Sequence, residues 1–289
     1  MDAVLIAGPT ASGKSSLAMR IARESNAMIV NSDAMQVYDA LRILTARPSH
    51  KDMEDIDHRL YGHVPASRAY SVGDWYRDVE KLLEEPDIGR RTMVFVGGTG
   101  LYFRALMGGL SRMPEIPQTI RQYWRDTLAK RGVEHLHARL AERDPETAAQ
   151  LSVRDRQRIV RALEVFDASG RSIRSFQGEA GQPLIEPNNA RRILVMPDRT
   201  ILHDRIEVRF KRMIAEGAID EVRRLLAMNL RPDLPAMKAI GVREIAAFID
   251  GSTRKERAIE LASIATRQYA KRQMTWFRNQ LGTDWDVRS

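Results

Sequence analysis

Apolar residues gather into short unbroken runs at Ala3-Val4-Leu5-Ile6-Ala7, Ala27-Met28-Ile29-Val30, Met93-Val94-Phe95-Val96 and Ile193-Leu194-Val195-Met196. Runs of this length without polar alternation suit strands buried on both faces. Between them the spacing changes to that of helices, over residues 16–24 and 72–84. Leu202, Ile206, Phe210 and Met213 continue it as far as Gly217. Strands alternating with helices predict a parallel sheet, whose ligands sit beyond the carboxyl ends of the strands. Thr253 and Glu256 have the spacing of a capping box and are expected to open a long terminal helix.

The middle of the chain reads differently. Between Pro114 and Pro117 on one side and Pro183 and Pro187 on the other, the sequence is helical and charged and lacks a strand-like run. The expected division is a core over 1–111, a helical insertion over 112–187, and a return to the core with C-terminal helices over 188–289. No apolar stretch reaches the length of a membrane span.

Composition narrows the function. The 289 residues leave room for one large core or a core with an insertion, and the net charge of +8 favours a polyanionic partner. With no cysteine, disulfides, thiolate metal sites and a cysteine nucleophile are excluded. Met1-Asp2 leads almost directly into the first strand, without a basic leader, so a cytoplasmic enzyme is expected.

The first strand runs into Gly8-Pro9-Thr10-Ala11-Ser12-Gly13-Lys14-Ser15, a complete Gly-x-x-x-x-Gly-Lys-Ser phosphate loop in the context that makes this motif credible. Its glycines let successive N–H groups turn inward, Lys14 adds a mobile charge, and the following helix presents its positive end. Such a cradle takes two linked phosphates. The Ser15 hydroxyl is placed to ligate a Mg²⁺ that bridges them. The fold class is therefore α/β, a P-loop NTPase-like parallel sheet carrying an inserted helical domain.

Two further polar stations follow strand ends. Asp33 stands as a partner to the metal, as a base, or as a cap, and spacing leaves these open. Gln36 offers the donor and acceptor that pair with an adenine edge. Thr99, in Gly97-Gly98-Thr99-Gly100, can approach a phosphate oxygen or Asp33 through a bend that glycine tolerates. No carboxylate ends this third strand, against a motor ATPase. In the insertion Arg154, Arg158 and Arg161 fall at i, i+4 and i+7 beside Ile159, Leu163 and Phe166, a basic face suited to a nucleic-acid backbone. Arg267, Lys271 and Arg278 repeat the pattern near the C-terminus, with Trp276 and Phe277 read as core. His58 has no partner at metal-ligand spacing.

Taken together these stretches resemble the bacterial type of the tRNA dimethylallyltransferase (tRNA isopentenyltransferase) family. The likeness runs from Gly8 to Arg278. It rests on the phosphate loop, Asp33-Ala34-Met35-Gln36-Val37-Tyr38, Thr45-Ala46-Arg47-Pro48 and Val96-Gly97-Gly98-Thr99-Gly100-Leu101-Tyr102. Asp155-Arg156-Gln157-Arg158, Lys238-Ala239-Ile240-Gly241 and Thr266 to Gln273 with Thr275-Trp276-Phe277 add to it.

The resemblance implies a Mg²⁺-dependent transfer of a dimethylallyl group from dimethylallyl diphosphate to N6 of adenosine 37, in tRNAs reading codons that begin with U. Gly8, Pro9, Thr10, Ala11, Ser12, Gly13, Lys14 and Ser15 would hold the diphosphate, with Ser15 on the metal. Asp33 would be the general base, with Thr99 and Arg205 as further catalytic residues. Asp33, Ala34, Met35, Gln36 and Thr99 would meet the tRNA at the target base. Arg121, Gln157, Arg158, Ile159, Val160 and Arg161 would meet its anticodon arm. A monomer without membrane contact is implied. Departures occur where the family commonly has Pro-His-His-Leu-Ile-Asp and this chain has Asp57-His58-Arg59-Leu60-Tyr61-Gly62, at Val242 for Tyr, and at Arg47 for Lys. The competing readings are a small-molecule P-loop kinase, a prenyltransferase acting on free adenine nucleotides, and a non-catalytic RNA-binding protein.

Overall fold

The computed structural model describes residues 3–289 except 54, 87, 89, 90, 179 and 180. Met1 and Asp2, on which the reading of the leader rests, lie outside the described residues. The chain forms two compact units, residues 1–107 with 184–289, and residues 108–183.

The first unit begins β1 (Ala3–Ala7), α1 (Lys14–Ser25), β2 (Met28–Asn31), α2 (His50–Met53), β3 (His58–Arg59), α3 (Val72–Glu84), β4 (Met93–Gly97) and α4 (Gly100–Gly108). The second holds α5 (Gln118–Arg143), α6 (Pro145–Gln150), α7 (Arg156–Ser169) and α8 (Ile173–Gln177). The chain returns to the first as β5 (Ala190–Val195), α9 (Arg199–Ala215), α10 (Ala218–Ala227), α11 (Val242–Ile249), α12 (Lys255–Gln280) and β6 (Asp286–Arg288).

The six strands form one parallel sheet in the order β3-β2-β4-β1-β5-β6. β1 lies between β4 and β5, and both β1 and β4 are buried along their whole length, as their unbroken apolar runs require. Alternate residues serve opposite faces. Leu5, Met28, Val30 and Phe95 pack with Trp75, Phe103 and Leu106, while Val4, Ile6, Ile29 and Val94 pack with Ala18 and Ala22 of α1.

A second core gathers Val37, Tyr38, Leu41 and Ile43 against Phe210, Val222, Leu225 and Ile245. The buried Glu221 of α10 fastens the loop above it. Its carboxylate accepts the N–H groups of Arg42, Ile43 and Leu44 at 2.7, 2.8 and 2.9 Å. A carboxylate carries enough lone pairs for three donors, which is why an acidic residue can be buried at this point.

Three features differ from the sequence reading. The short edge strands β3 and β6 have no apolar run to announce them. α12 starts one residue after Arg254, with no side-chain cap, and the Thr253 N–H bonds instead to Ala247 O, so the expected capping box does not form. Arg154 precedes the capping residue Asp155 of α7 and is not on that helix, so it cannot share a helical face with Arg158 and Arg161. Among the described residues no helix is long and apolar enough to cross a membrane.

Candidate active site

Parallel register decides what meets at the carboxyl edge of the sheet. Ala7 pairs with Gly97 and Asn31 with Val96, so Gly8, Ser32 and Gly98 leave the sheet side by side. Each strand then passes into a loop rich in small or polar residues. A Cβ at Gly97 would collide with the backbone of Ser32, and one at Gly8 would come to 2.7 Å from Val195 O. Only glycine allows loops this close.

The phosphate loop turns through left-handed residues, Ala11 at φ 63° and Gly13 at φ 91°. α1 opens without a side-chain cap and without an acidic residue in its first turn, leaving its N-terminal N–H groups for an anion. Lys14 Nζ donates to Pro9 O at 3.1 Å. Burial, opposed by Asp33 and reinforced by Arg209, lowers the Lys14 ammonium to about 8. Ser15 is exposed, while the Ser12 hydroxyl is buried with no hydrogen-bond partner in the protein.

Two residues of the loop do not present a backbone N–H to a ligand. Pro9 has no N–H, and its carbonyl is taken by Lys14 and by the Ser12 N–H. The Thr10 N–H donates to Gln273 Oε1 at 2.9 Å. These two shape the cradle, and its ligand-facing surface is narrower than the eight-residue motif suggests.

Asp33 is set by its own neighbourhood. The fully buried Asn31 accepts the Asp33 N–H through Oδ1 at 2.9 Å and donates through Nδ2 to Asp33 O and Leu60 O. Asp33 Oδ1 accepts the Met35 N–H, while Thr99 Oγ1 accepts the Ala34 N–H, both at 2.9 Å. The loops after β2 and β4 are thereby tied together, with Asp33 and Thr99 on adjoining turns. Asp33 is also the carboxylate whose charge is felt by Lys14, Arg209, Tyr61, Tyr102 and Tyr269. Burial chiefly, and Asp33 next, raise the pKa values of those three phenols well above their ordinary value.

Gln36 differs from expectation. Its Nε2 donates to Thr45 O at 2.9 Å and Ala46 O at 3.2 Å, so the amide fastens the loop and only Oε1 remains to read a base. A bidentate pairing with adenine would require those bonds to break. Two departures from the family pattern meet nearby. Gly62 adopts φ 57°, and the Arg47 guanidinium occupies the space a side chain at Gly62 would fill, donating to Asp39 O at 3.0 Å.

Arg205 and Arg209, one turn apart on α9, both reach the phosphate loop. Arg205 donates to Ser12 O at 3.4 Å and Arg209 to Thr10 Oγ1 at 3.2 Å. Arg209, half-buried and with its pKa lowered chiefly by burial, was missed by the sequence reading, although its spacing from Arg205 put it on the same face. Gln273 was missed as well.

In the second unit Arg121 lies on α5, half-buried, with an unpartnered buried Nε. Gln157 and Arg158 are exposed in the first turn of α7, and Arg161 follows one turn later. The side chain of Ile159 does not face an RNA surface. It is fully buried among Trp124, Leu136 and Leu163, where no RNA can reach it, and Val160 packs partly against the same cluster.

Comparison with known proteins shows the family of the chain. The family described as IPP transferase matches residues 36–280, and the one described as isopentenyl transferase matches residues 1–64. The chain belongs to the IPP transferase family. A protein of Agrobacterium fabrum named tRNA dimethylallyltransferase is 57% identical over 284 residues, covering 98% of this chain and 95% of the relative. One from Rhizobium meliloti with the same name is 53% identical over 285 residues, 99% of this chain and 94% of that one. The solved tRNA isopentenylpyrophosphate transferase of Bacillus halodurans aligns with TM-score 0.69 at 31% identity, covering 99% of this chain and 89% of its own. A eukaryotic dimethylallyltransferase solved in snapshots acting on tRNA aligns with TM-score 0.80 at 26% identity, covering 96% and 70%. The family fixes this chain as a prenyl-transferring enzyme with a P-loop-type α/β fold.

The depressed pKa of Lys14 gives a testable consequence. An anion in the loop stabilises the ammonium, so binding above about pH 8 draws in a proton. Affinity for inorganic diphosphate is expected to fall as pH rises from about 7.5 to 9, more steeply in the wild type than in Lys14→Met. Calorimetry in buffers of different ionisation heat reads the proton directly, and equal pH slopes in the two proteins would contradict the assignment.

Proposed function

We propose that the carboxyl edge of the sheet holds the diphosphate of the prenyl donor in the phosphate loop while Asp33 takes the proton from the accepting amine. The reaction is transfer of a dimethylallyl group from dimethylallyl diphosphate to adenosine 37 of tRNA, with N6 as the acceptor and tRNAs reading codons that begin with U as substrates. The observation that carries the reading is the register that sets the loops after β1, β2 and β4 side by side, with the Asp33 carboxylate acting on Lys14 and Arg209.

Two bonds change. The bond from the allylic carbon to the diphosphate oxygen breaks, the bond from N6 to that carbon forms, and the displaced N6 proton passes to Asp33. The allylic carbon supports developing positive charge, so much of the barrier lies in the departure of the diphosphate. Lys14, Arg209 and the free N–H groups of the α1 N-terminus spread the charge of that leaving group, and Arg205 lies within reach of the same loop. Tyr61, Tyr102 and Tyr269 stay neutral around Asp33 at working pH. Thr99 holds the Asp33 turn through Ala34, and Gln36 offers Oε1 to the adenine amine.

The donor set suits a divalent metal carried in by the substrate, assigned as Mg²⁺. The described residues contain no cluster of three His, Asp or Glu side chains able to cage an ion, whereas the exposed Ser15 hydroxyl stands at the start of α1. Ser15 would hold a Mg²⁺ that arrives with the diphosphate, and the ion would offset charge on the leaving group.

The tRNA must present a base that is stacked in the anticodon loop. Unstacking costs about a few kcal/mol, offset by phosphate contacts from basic side chains. In the second unit Arg121, Arg154, Arg158 and Arg161 supply such contacts. In the first, a groove between the start of α9 and α12 is lined by Arg199, His203, Arg267, Lys271 and Arg278 over a floor of Leu202, Ala270 and Met274. Work on cytoplasmic tRNA as a monomer is consistent with this reading.

Asp33→Asn tests the base. Single-turnover transfer is expected to fall by roughly 10² or more, with melting temperature and tRNA affinity unchanged. An undiminished rate would remove Asp33 from the chemistry. Neutralising Arg154, Arg158 and Arg161 together tests the RNA surface. The slope of log affinity for tRNA against log salt is expected to flatten by about two to three, while affinity for the small diphosphate is kept. An unchanged slope would take this surface out of the interface.

A further inference from the structure

Gln273 lies two turns before the end of α12 and is 6% exposed. Its two amide atoms point at two different loops. Oε1 accepts the Thr10 N–H of the phosphate loop at 2.9 Å, and Nε2 donates to Gly98 O in the bend after β4, also at 2.9 Å. A carboxamide is the side chain that can accept from one backbone and donate to another with no net charge.

The neighbouring glycine makes the fit exacting. A side chain at Gly98 would collide with Gln273 Nε2, and its Cβ would come to 3.3 Å from Asp33 Oδ2. Gln273 and the Asp33 carboxylate therefore flank the bare backbone of Gly98. One turn earlier on α12, Tyr269 lies within the influence of both Gln273 and Asp33. Trp276 packs onto Gly100 in the same way, so α12 lies against the start of α4. No direct hydrogen bond joins the phosphate loop to the Gly98–Thr99 bend among the described residues, and Gln273 spans the gap.

We propose that Gln273 is a positioning residue that fixes the separation between the phosphate loop and the Asp33–Thr99 pair. This rests on the assignment of the donor diphosphate to that loop and of the accepting amine to Asp33. The leaving group and the base sit on separate strands, and the reacting carbon must lie between them. An error of about 1 Å in such a separation costs up to roughly 10²-fold in rate. The side chain touches neither reactant, and its effect on the rate acts through the two loops.

The test uses Gln273→Met, which keeps the volume and loses both bonds, and Gln273→Glu, which can regain both when protonated. In the Gln273→Glu variant an ionised side chain would set a negative oxygen against Gly98 O and beside Asp33, whereas the neutral carboxyl has one acceptor and one donor, as the amide does. The titratable and charged groups around it are Asp33, Tyr269, Arg272, and Lys14 and Arg209 by way of the phosphate loop. Single-turnover transfer to tRNA at saturating dimethylallyl diphosphate and Mg²⁺ is measured from about pH 6 to 8.5, each variant as a ratio to wild type at the same pH. The Met variant is expected at roughly 10- to 100-fold below wild type at every pH. The Glu variant should match it near pH 8.5 and recover as pH falls, with tRNA affinity unchanged in both. Full activity of either variant at pH 8.5, or a Glu ratio that stays flat with pH, overturns the proposal. Loss of the Asp33 reading would alter the wild-type profile and leave these ratios unaffected, so the two failures are distinguishable. Should the Glu variant fail to fold, faster amide hydrogen exchange over 9–13 and 98–101 in the Met variant supports the role, and unchanged exchange overturns it.

Discussion

The register of β1 against β4 is the constraint on which the rest of the site depends. Because Ala7 pairs with Gly97, the phosphate loop and the Gly98–Thr99 bend leave the sheet at the same level, and pairing of Asn31 with Val96 brings Asp33 alongside. A slip of one residue would exchange Leu5 with Val4 and Ile6 between the two buried faces of the sheet. Since both faces are fully buried, that slip is opposed by mismatched packing in both cores. The apolar runs thus hold the polar edge in place, although none of their residues touches a substrate.

The edge concentrates opposite charges where water is scarce. Lys14 loses part of its basicity to burial, and Asp33 partly restores it. Arg209 is held by Thr10 and feels the same carboxylate. On the proposed assignment, a diphosphate entering this grouping would meet cations that folding has already desolvated, and the carboxylate would be left for the amine. The site needs little movement of its own residues for this, because Asn31, Thr99 and Gln273 already hold the three loops through backbone hydrogen bonds.

Much of this was legible in the sequence where the signal is local. The runs of β1, β2 and β4 announced themselves because strands buried on both faces are apolar nearly throughout, the buried half of β5 at Ile193, Leu194 and Val195 did so too, and the phosphate loop is contiguous. The edge strands β3 and β6 are two and three residues long and polar, so periodicity could not find them. Ile159 stood on the apolar stripe of α7 with Leu163 by spacing, and only the resemblance assigned it to the RNA. Arg154 was misplaced because Asp155 caps the helix after it. The employment of Gln36 within its own loop and the two-sided reach of Gln273 are tertiary facts, carried by partners that only folding brings near.

The central claim is that this edge joins a prenyl group to an adenosine of tRNA. Its most direct measurement is mass spectrometry of nucleosides from unmodified tRNA incubated with the pure protein, dimethylallyl diphosphate and Mg²⁺. The account predicts N6-(dimethylallyl)adenosine at position 37, formed together with free diphosphate in equal amount. Unmodified adenosine throughout the tRNA, with the prenyl group found on free adenine nucleotides or phosphate transferred from ATP to a small molecule, would contradict it.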